Sequence, residues 1–137
     1  MDDELFLSKE KSDLDLDLVS SFLSNSYWAL GRNREEVVRS IENSFCVGLF
    51  FKKSQIGFAR VVTDYQTFAY IMDVFIVPEH QGKGFGKKIM QFMLQSQELQ
   101  YVSTFRLRTE DAHGFYEGLG FKVNHIEILE LARSNCV

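Results

Sequence analysis

The sequence is short of proline, cysteine, basic charge and long apolar runs, and each shortage removes a class of protein. Pro78 is the only proline, and no linker, repeat or low-complexity segment interrupts the chain. The two cysteines, Cys46 and Cys136, form neither a disulfide framework nor a metal-ligand spacing, so they read as free thiols in a reducing compartment and no metal site is expected. No apolar run is long enough to span a bilayer. The start, Met1-Asp2-Asp3-Glu4, is acidic where a secretory signal is basic and then apolar. A cytoplasmic protein is expected, with no membrane partner. The net charge of −4 denies the chain the basic face that nucleic-acid binding requires. It is mildly compatible with a cationic partner.

What is present is an ordinary globular composition. Apolar residues make up 45 % and charged residues 25 %, so a packed core is expected rather than disorder. The length of 137 residues suits one domain over 1–137. Phe is common, at 13, which points to an aromatic-rich core or pocket.

Periodicity divides the chain. Asp13 to Leu18 alternates like a strand, but Leu14, Leu18 and Phe22 recur at helical spacing, which predicts a helix over 13–24 with Ser12 available as a cap. Arg34 to Asn43 reads as a second helix capped by Asn33. Phe45–Lys52 and Ile56–Thr63 form a predicted hairpin across a polar turn, and Phe68–Val77 a third strand stopped by Pro78. A first strand near Leu5–Leu7 fits the pattern. Phe85, Ile89 and Phe92 mark an amphipathic helix. Phe105–Arg108 reads as a strand, and Ala112–Leu119 as a short helix ended by Gly120. Phe121–Val123 and Ile126–Leu131 read as final strands. The fold class is α/β (α+β): one central mixed, mostly antiparallel sheet flanked by helices.

The chemistry concentrates between Val74 and Lys88. A strand runs through a glycine-rich turn into a helix, where unpaired amides and the positive end of the helix dipole favour phosphate oxygens. Glycine lets backbone approach an anion closely. A nucleoside-triphosphate loop would need Gly at 81 and Ser or Thr at 88, where the chain has Gln81 and Lys88. A dinucleotide fingerprint fails on Lys87 in one frame and on Ile89 in the other.

Gln81-Gly82-Lys83-Gly84-Phe85-Gly86 resembles the GNAT acetyltransferase motif Q/R-x-x-G-x-G/A, in the matching setting of strand before and helix after. Downstream, Ala112-His113-Gly114-Phe115-Tyr116-Glu117-Gly118-Leu119-Gly120-Phe121 is similar to that family's A-x-x-F-Y-x-x-x-G-F. The resemblance covers roughly residues 44–123. It implies a GNAT-like fold and acetyl-CoA as cosubstrate, with an acetyl group passing directly to a primary amine on a small molecule or peptide. It implies that Gln81, Gly82, Lys83, Gly84, Phe85, Gly86 and Lys87 hold the pyrophosphate, and that the preceding strand bulges away from its neighbour, so that backbone groups of Phe75, Ile76 and Val77 pair with the pantetheine arm as an added strand would. It also makes a homodimer a family-based expectation.

The resemblance makes Tyr116 the proton donor to the leaving thiolate. A phenol with an ordinary pKa of about 10 stays protonated at neutral pH. Asp73 is the candidate base, because a carboxylate on an apolar strand needs a use or a partner. An ion pair with Arg60 or Arg108 is the alternative, and a water relay is the other route for the amine's proton. Thr109 stands where many family members have an Asn that contacts the cofactor arm. Tyr27, Trp28 and Tyr70 are candidates for the acceptor pocket, with core packing as the other reading. Glu110 and Asp111 read as caps of the short helix, and His80 and His113 as surface residues. Glu35 and Glu36 read as a solvated helix start. The same glycine loop would serve a non-catalytic acyl-CoA sensor or a general nucleotide binder.

Overall fold

A computed structural model of the chain describes residues 4–133. Its centre is a five-stranded sheet in sequential order: β1 (Leu5–Ser8), β2 (Phe45–Phe51), β3 (Ser54–Thr63), β4 (Ala69–Ile76) and β5 (Phe105–Leu107). The first four strands pair antiparallel, and β5 joins β4 in parallel. The helices are α1 (Leu16–Ser24), α2 (Arg34–Glu42), α3 (Phe85–Leu94) and α4 (His113–Glu117). Among the described residues no helix is long and apolar enough to cross a membrane.

Local chemistry explains most of these boundaries. The Asp13–Leu18 alternation resolves into a single 3-10 turn at Lys11–Asp13 followed by α1. Asp15, rather than Ser12, caps α1 by accepting from the Leu18 amide. Asn33 accepts from the Glu36 amide while the Glu36 side chain accepts from the Asn33 amide, a reciprocal capping box that fixes the start of α2. Lys52 and Lys53 both have positive φ, 51° and 70°, the double left-handed turn that matches the twist of a tight hairpin.

The sheet is covered on both faces, so β2 and β3 are almost wholly buried. On one face Ile89, Met90 and Met93 of α3 meet Val47, Leu49, Ala59, Val61, Ala69 and Ile71. On the other, Val19 and Leu23 of α1 and Val37 and Ile41 of α2 meet Cys46, Phe58 and Phe75. Fully burying a side chain such as Phe58 contributes about 1.5–3 kcal/mol. Cys46 is a free thiol whose pKa burial pushes up to about 11, which makes it unreactive at neutral pH. Cys136 lies outside the described residues.

One expectation fails at the end of the chain. The strands predicted over Phe121–Val123 and Ile126–Leu131 do not form: residues 121–133 take no regular structure. Ile126, Ile128, Leu129 and Leu131 are 67 %, 70 %, 96 % and 86 % exposed. Alternation supplies a strand's faces, but the backbone groups of a strand also need a partner, and the described residues provide none here.

Candidate functional site

The site begins with a break in the sheet. β4 and β5 pair only from Ala69–Phe105 to Ile71–Leu107. Immediately beyond, the β3–β4 register shifts: Arg60 faces Met72, whereas Phe58 faces Phe75. The extra residue falls at Asp73, whose φ is +58°, a left-handed conformation that Asp tolerates better than most side chains. A bulge of this kind bends its strand and interrupts pairing. It also reverses the faces. Ala69 and Ile71 pack toward α3, whereas Phe75 packs toward α1 and α2 and Val74 and Ile76 pack toward α3.

Asp73 is placed differently from a catalytic base. Its side chain is 0 % exposed. Oδ2 accepts from Arg60 Nε at 2.8 Å and from Arg32 Nη1 at 2.8 Å, and Oδ1 accepts from Trp28 Nε1 at 3.0 Å. Arg60 is itself buried and also donates to Ser44 Oγ at 3.0 Å. A carboxylate held by two guanidinium groups and an indole, sealed from solvent, has no free lone pair facing an amine. Its physical role is to compensate buried charge and to hold the bulge. The ion pair with Arg60 is present, and Arg32 adds a second; Arg108 instead approaches Glu130, at 3.9 Å.

The strand edge also corrects an expectation. The Val77 amide donates to the Ile56 carbonyl in β3 at 2.8 Å. In an antiparallel pair, alternate residues turn their backbone groups to opposite sides. Val77 and Phe75 therefore bond inward to β3, and Val74 and Ile76 turn toward the gap beside β5. Of the three residues proposed for an added-strand contact, only Ile76 is suitably turned, and its carbonyl already accepts from Gln81 Nε2 at 2.8 Å. Gln81 thus ties the glycine loop to the strand end.

The loop itself is open. Gly82 and Gly84 have φ of +78° and +83°, and a Cβ built on either would meet nothing within 4 Å. Gly84 caps α3, whose first backbone bond closes from the Lys88 amide to the Gly84 carbonyl. The amides of Phe85, Gly86 and Lys87 therefore head the helix without intrahelical partners. Lys83, Lys87 and Lys88 are exposed around them. His80 is half-buried rather than a free surface residue: its ring sits 5.4 Å from that of Phe51 and 6.1 Å from that of Phe85.

The second motif packs directly on the first. A Cβ at Gly86 would lie 3.4 Å from Phe115 Cζ, so the start of α3 rests on the Phe115 ring. The end of α4 is a Schellman motif: the Phe121 amide donates to the Tyr116 carbonyl at 3.1 Å and the Gly120 amide to the Glu117 carbonyl at 3.0 Å. Gly120 takes the required positive φ, 101°, and the Phe121 ring contacts Tyr116 at 5.9 Å. These bonds fix the backbone that carries Tyr116. Its side chain is half-buried, and its pKa is raised first by burial and then by Asp111 and Tyr27 nearby.

Thr109, rather than Asp111, accepts at the start of the short helix. Thr109 Oγ1 accepts from the Ala112 amide at 3.1 Å at the start of α4, leaving its O–H free to donate. Asp111 instead accepts from the Tyr27 hydroxyl at 3.3 Å. Burial raises the Tyr27 pKa first, then the Asp111 charge. Tyr27 and Trp28 stack edge-on, with ring centroids 5.3 Å apart, and both line a groove of about 740 Å³. Tyr70 does not join them: it lies toward the other end of β4, beside Phe68. His113 and Glu35 are exposed as expected.

These features coincide with a known family. Residues 42–123, which include the glycine loop and Tyr116, match the model described as an acetyltransferase (GNAT) domain. The chain belongs to the GNAT acetyltransferase family. A crystal structure of a GNAT-family protein from Xanthomonas campestris pv. campestris is 37 % identical, with a TM-score of 0.87 and 93 % of each chain covered. A Gibberella zeae protein that bears an acetyltransferase name, FG08082, is 29 % identical over 143 residues, covering 87 % of this chain and 80 % of its own length. The uncharacterized N-acetyltransferase ycf52 of Gracilaria tenuistipitata var. liui is 34 % identical over 105 residues, covering 72 % of this chain and 58 % of its own length.

Within this GNAT domain, sequence reasoning missed Arg32 as a partner of Asp73, Asp111 as a partner of Tyr27, and Gln81 as a brace. Arg32 and Asp111 sit in connections, where Arg32 gave no signal and Asp111 read as a helix cap. Their partners lie 41 and 84 residues away in the chain, beyond any local pattern.

Proposed function

We propose that the chain transfers an acetyl group from acetyl-CoA to a primary amine. The observation that carries this reading is the contact of Gly86 with Phe115, which packs the motif that carries the half-buried Tyr116 against the start of the helix that follows the open glycine loop. The residues fit the cosubstrate: a Cβ on Gly82 or Gly84 would meet nothing within 4 Å, and the amides of Phe85, Gly86 and Lys87 at the adjoining helix start have no intrahelical partners. Lys83 and Lys87 add charge for a pyrophosphate. The Val74 backbone and the Ile76 amide turn toward the gap, and the Thr109 hydroxyl keeps its O–H free to donate. Acetyl-CoA supplies the activated acyl thioester.

The amine loses a proton to water, its nitrogen bonds the acetyl carbon, and the carbon–sulfur bond breaks. Tyr116 gives its proton to the departing thiolate and regains one from solvent. Because Asp73 is sealed in its ion cluster, proton removal from the amine runs through water.

Gly84→Val tests the loop. A side chain at φ +83° costs about 1–2 kcal/mol, more for a β-branched residue, and its methyls occupy the anion's approach. Calorimetry should show acetyl-CoA binding lost, with wild-type protein binding acetyl-CoA but not ATP. Normal binding by the variant would overturn the loop assignment. Acetyl-CoA binding without CoA release across a panel of amines would instead identify a silent acyl-CoA sensor.

A further inference from the structure

β5 leaves the sheet with an open edge. It pairs with β4 on one side, and among the described residues no strand pairs with the other. Phe105 and Leu107 pack against the α3 core yet stay half-buried, as side chains beside an uncovered edge do. The unpaired amides and carbonyls of such an edge are a template for another strand.

The same chain carries a segment with the matching need. Residues 122–133 are exposed, and among the described residues their amides and carbonyls make no backbone–backbone bond. Ile126, Ile128, Leu129 and Leu131 all face solvent there. Single exposed apolar side chains are ordinary, but a run of them marks an interaction surface.

Edge and segment fit residue by residue. With Ile126 and Ile128 opposite Phe105 and Leu107, in either strand direction, Glu127 stands opposite Arg106. Opposed residues of paired strands share a face. Both isoleucines would therefore extend the α3 core, and the carboxylate would meet the guanidinium. Arg106 lies over the Phe68 ring, 5.2 Å from its centroid. Among the described residues neither Arg106 nor Glu127 has an ion-pair partner. The segment does not make this pairing with its own β5. Glu130 comes within 3.9 Å of Arg108, just past the end of that strand, and still no backbone bond forms. The Schellman turn at Gly120 and the contact of Phe121 with Tyr116 fix where the segment leaves the domain. A segment that reaches in from a second copy is free of that tether.

We propose that two copies of this chain exchange the segments that follow Phe121, residues 126–128 of each adding a strand to the outer edge of β5 in the other. Each copy gives one segment and receives one, so the contact closes at a dimer. The exchange does not depend on the transferase reading above.

Sedimentation of the full chain over a range of concentrations tests the exchange. We expect a concentration-dependent dimer, and slower hydrogen exchange at the amides of residues 105–107 and 126–128 as it forms. Arg106→Glu and Glu127→Lys each set like charges against one another at both contacts of the pair. Each should weaken the dimer at least about tenfold. Glu127 is exposed and outside any helix or strand, so its substitution leaves the fold of each copy alone. An equimolar mixture of the two variants separates exchange from pairing within one copy. In the mixed pair one contact regains the native charges and the other carries them reversed, so the dimer should return to near wild-type affinity. Pairing within a copy gains nothing from mixing. A wild-type chain that stays monomeric at every concentration, a dimer indifferent to both substitutions, or a mixture no tighter than either variant alone overturns the exchange.

Discussion

Asp73→Ala is expected to lower unfolding stability by about 3–5 kcal/mol, the cost of removing one partner from a buried ion pair. The side chain is wholly buried, and Arg60 beside it is 7 % exposed. Without the carboxylate, the Arg60 guanidinium stays in the sheet with only Ser44 and Met72 to face. Alanine would also have to hold φ near +58°, which adds about 1–2 kcal/mol of its own. Urea denaturation measures the loss, and a thermal melt should fall by roughly 10 °C or more. Asp73→Asn separates the causes. Asparagine tolerates the left-handed backbone and keeps an acceptor, so its loss should be smaller and should report the charge. A stability change under about 1 kcal/mol for the alanine variant would remove the ion cluster from its structural role. The pair also tests the base assignment. A base would lose turnover in Asp73→Asn with stability and acetyl-CoA affinity intact. A residue that holds the bulge should lose stability and cofactor affinity together.

That cluster shows where sequence reading stops. The capping box at Asn33 and Glu36, the hairpin at Lys52 and Lys53, and Gly120 at the end of α4 are all set by neighbours in the chain. Local pattern was enough to place the Asn33 cap, the turn and Gly120, while Glu36, read as part of a solvated helix start, closes the capping box. Asp73 stood out for the right physical reason, a charge in an apolar strand, yet the same residue type serves a base and an ion pair equally well. The choice depended on Trp28 and Arg32, brought in by tertiary packing from the α1–α2 connection. The bulge is implied by the family resemblance, but nothing in the residues fixes its position, for a related reason. An alternating strand gives no sign that one extra residue exchanges its faces, so Phe75 and Val77 were read as turned to the gap when they bond to β3. The last strands failed in the opposite direction: Ile126 and Ile128 carry strand-like spacing, but spacing does not create a partner edge.

Tyr116→Phe is expected to reduce kcat by about 10²–10³-fold, within the range of general acid catalysis, while acetyl-CoA affinity changes little. The substitution is conservative for the fold. The Schellman bonds that fix this backbone come from the main chain of Phe121 and Gly120, and the ring keeps its edge-on contacts with Phe115 and Phe121. Only the hydroxyl is lost, so the melting temperature should hold. The pH profile adds a second readout. Burial, then Asp111 and Tyr27, raise the Tyr116 pKa above its ordinary value of 10.0. A raised pKa keeps the phenol protonated and able to donate to higher pH than an ordinary tyrosine, so a downward limb of the wild-type kcat from this group should lie above the range of a free phenol. Activity should instead rise with pH as the acceptor amine loses its proton. In the phenylalanine variant this rising limb should remain at a much lower plateau, because the amine still titrates and the donor does not. Turnover equal to wild type would assign the thiolate's proton to water. A loss of acetyl-CoA affinity matching the loss of kcat would make Tyr116 a binding residue rather than the acid.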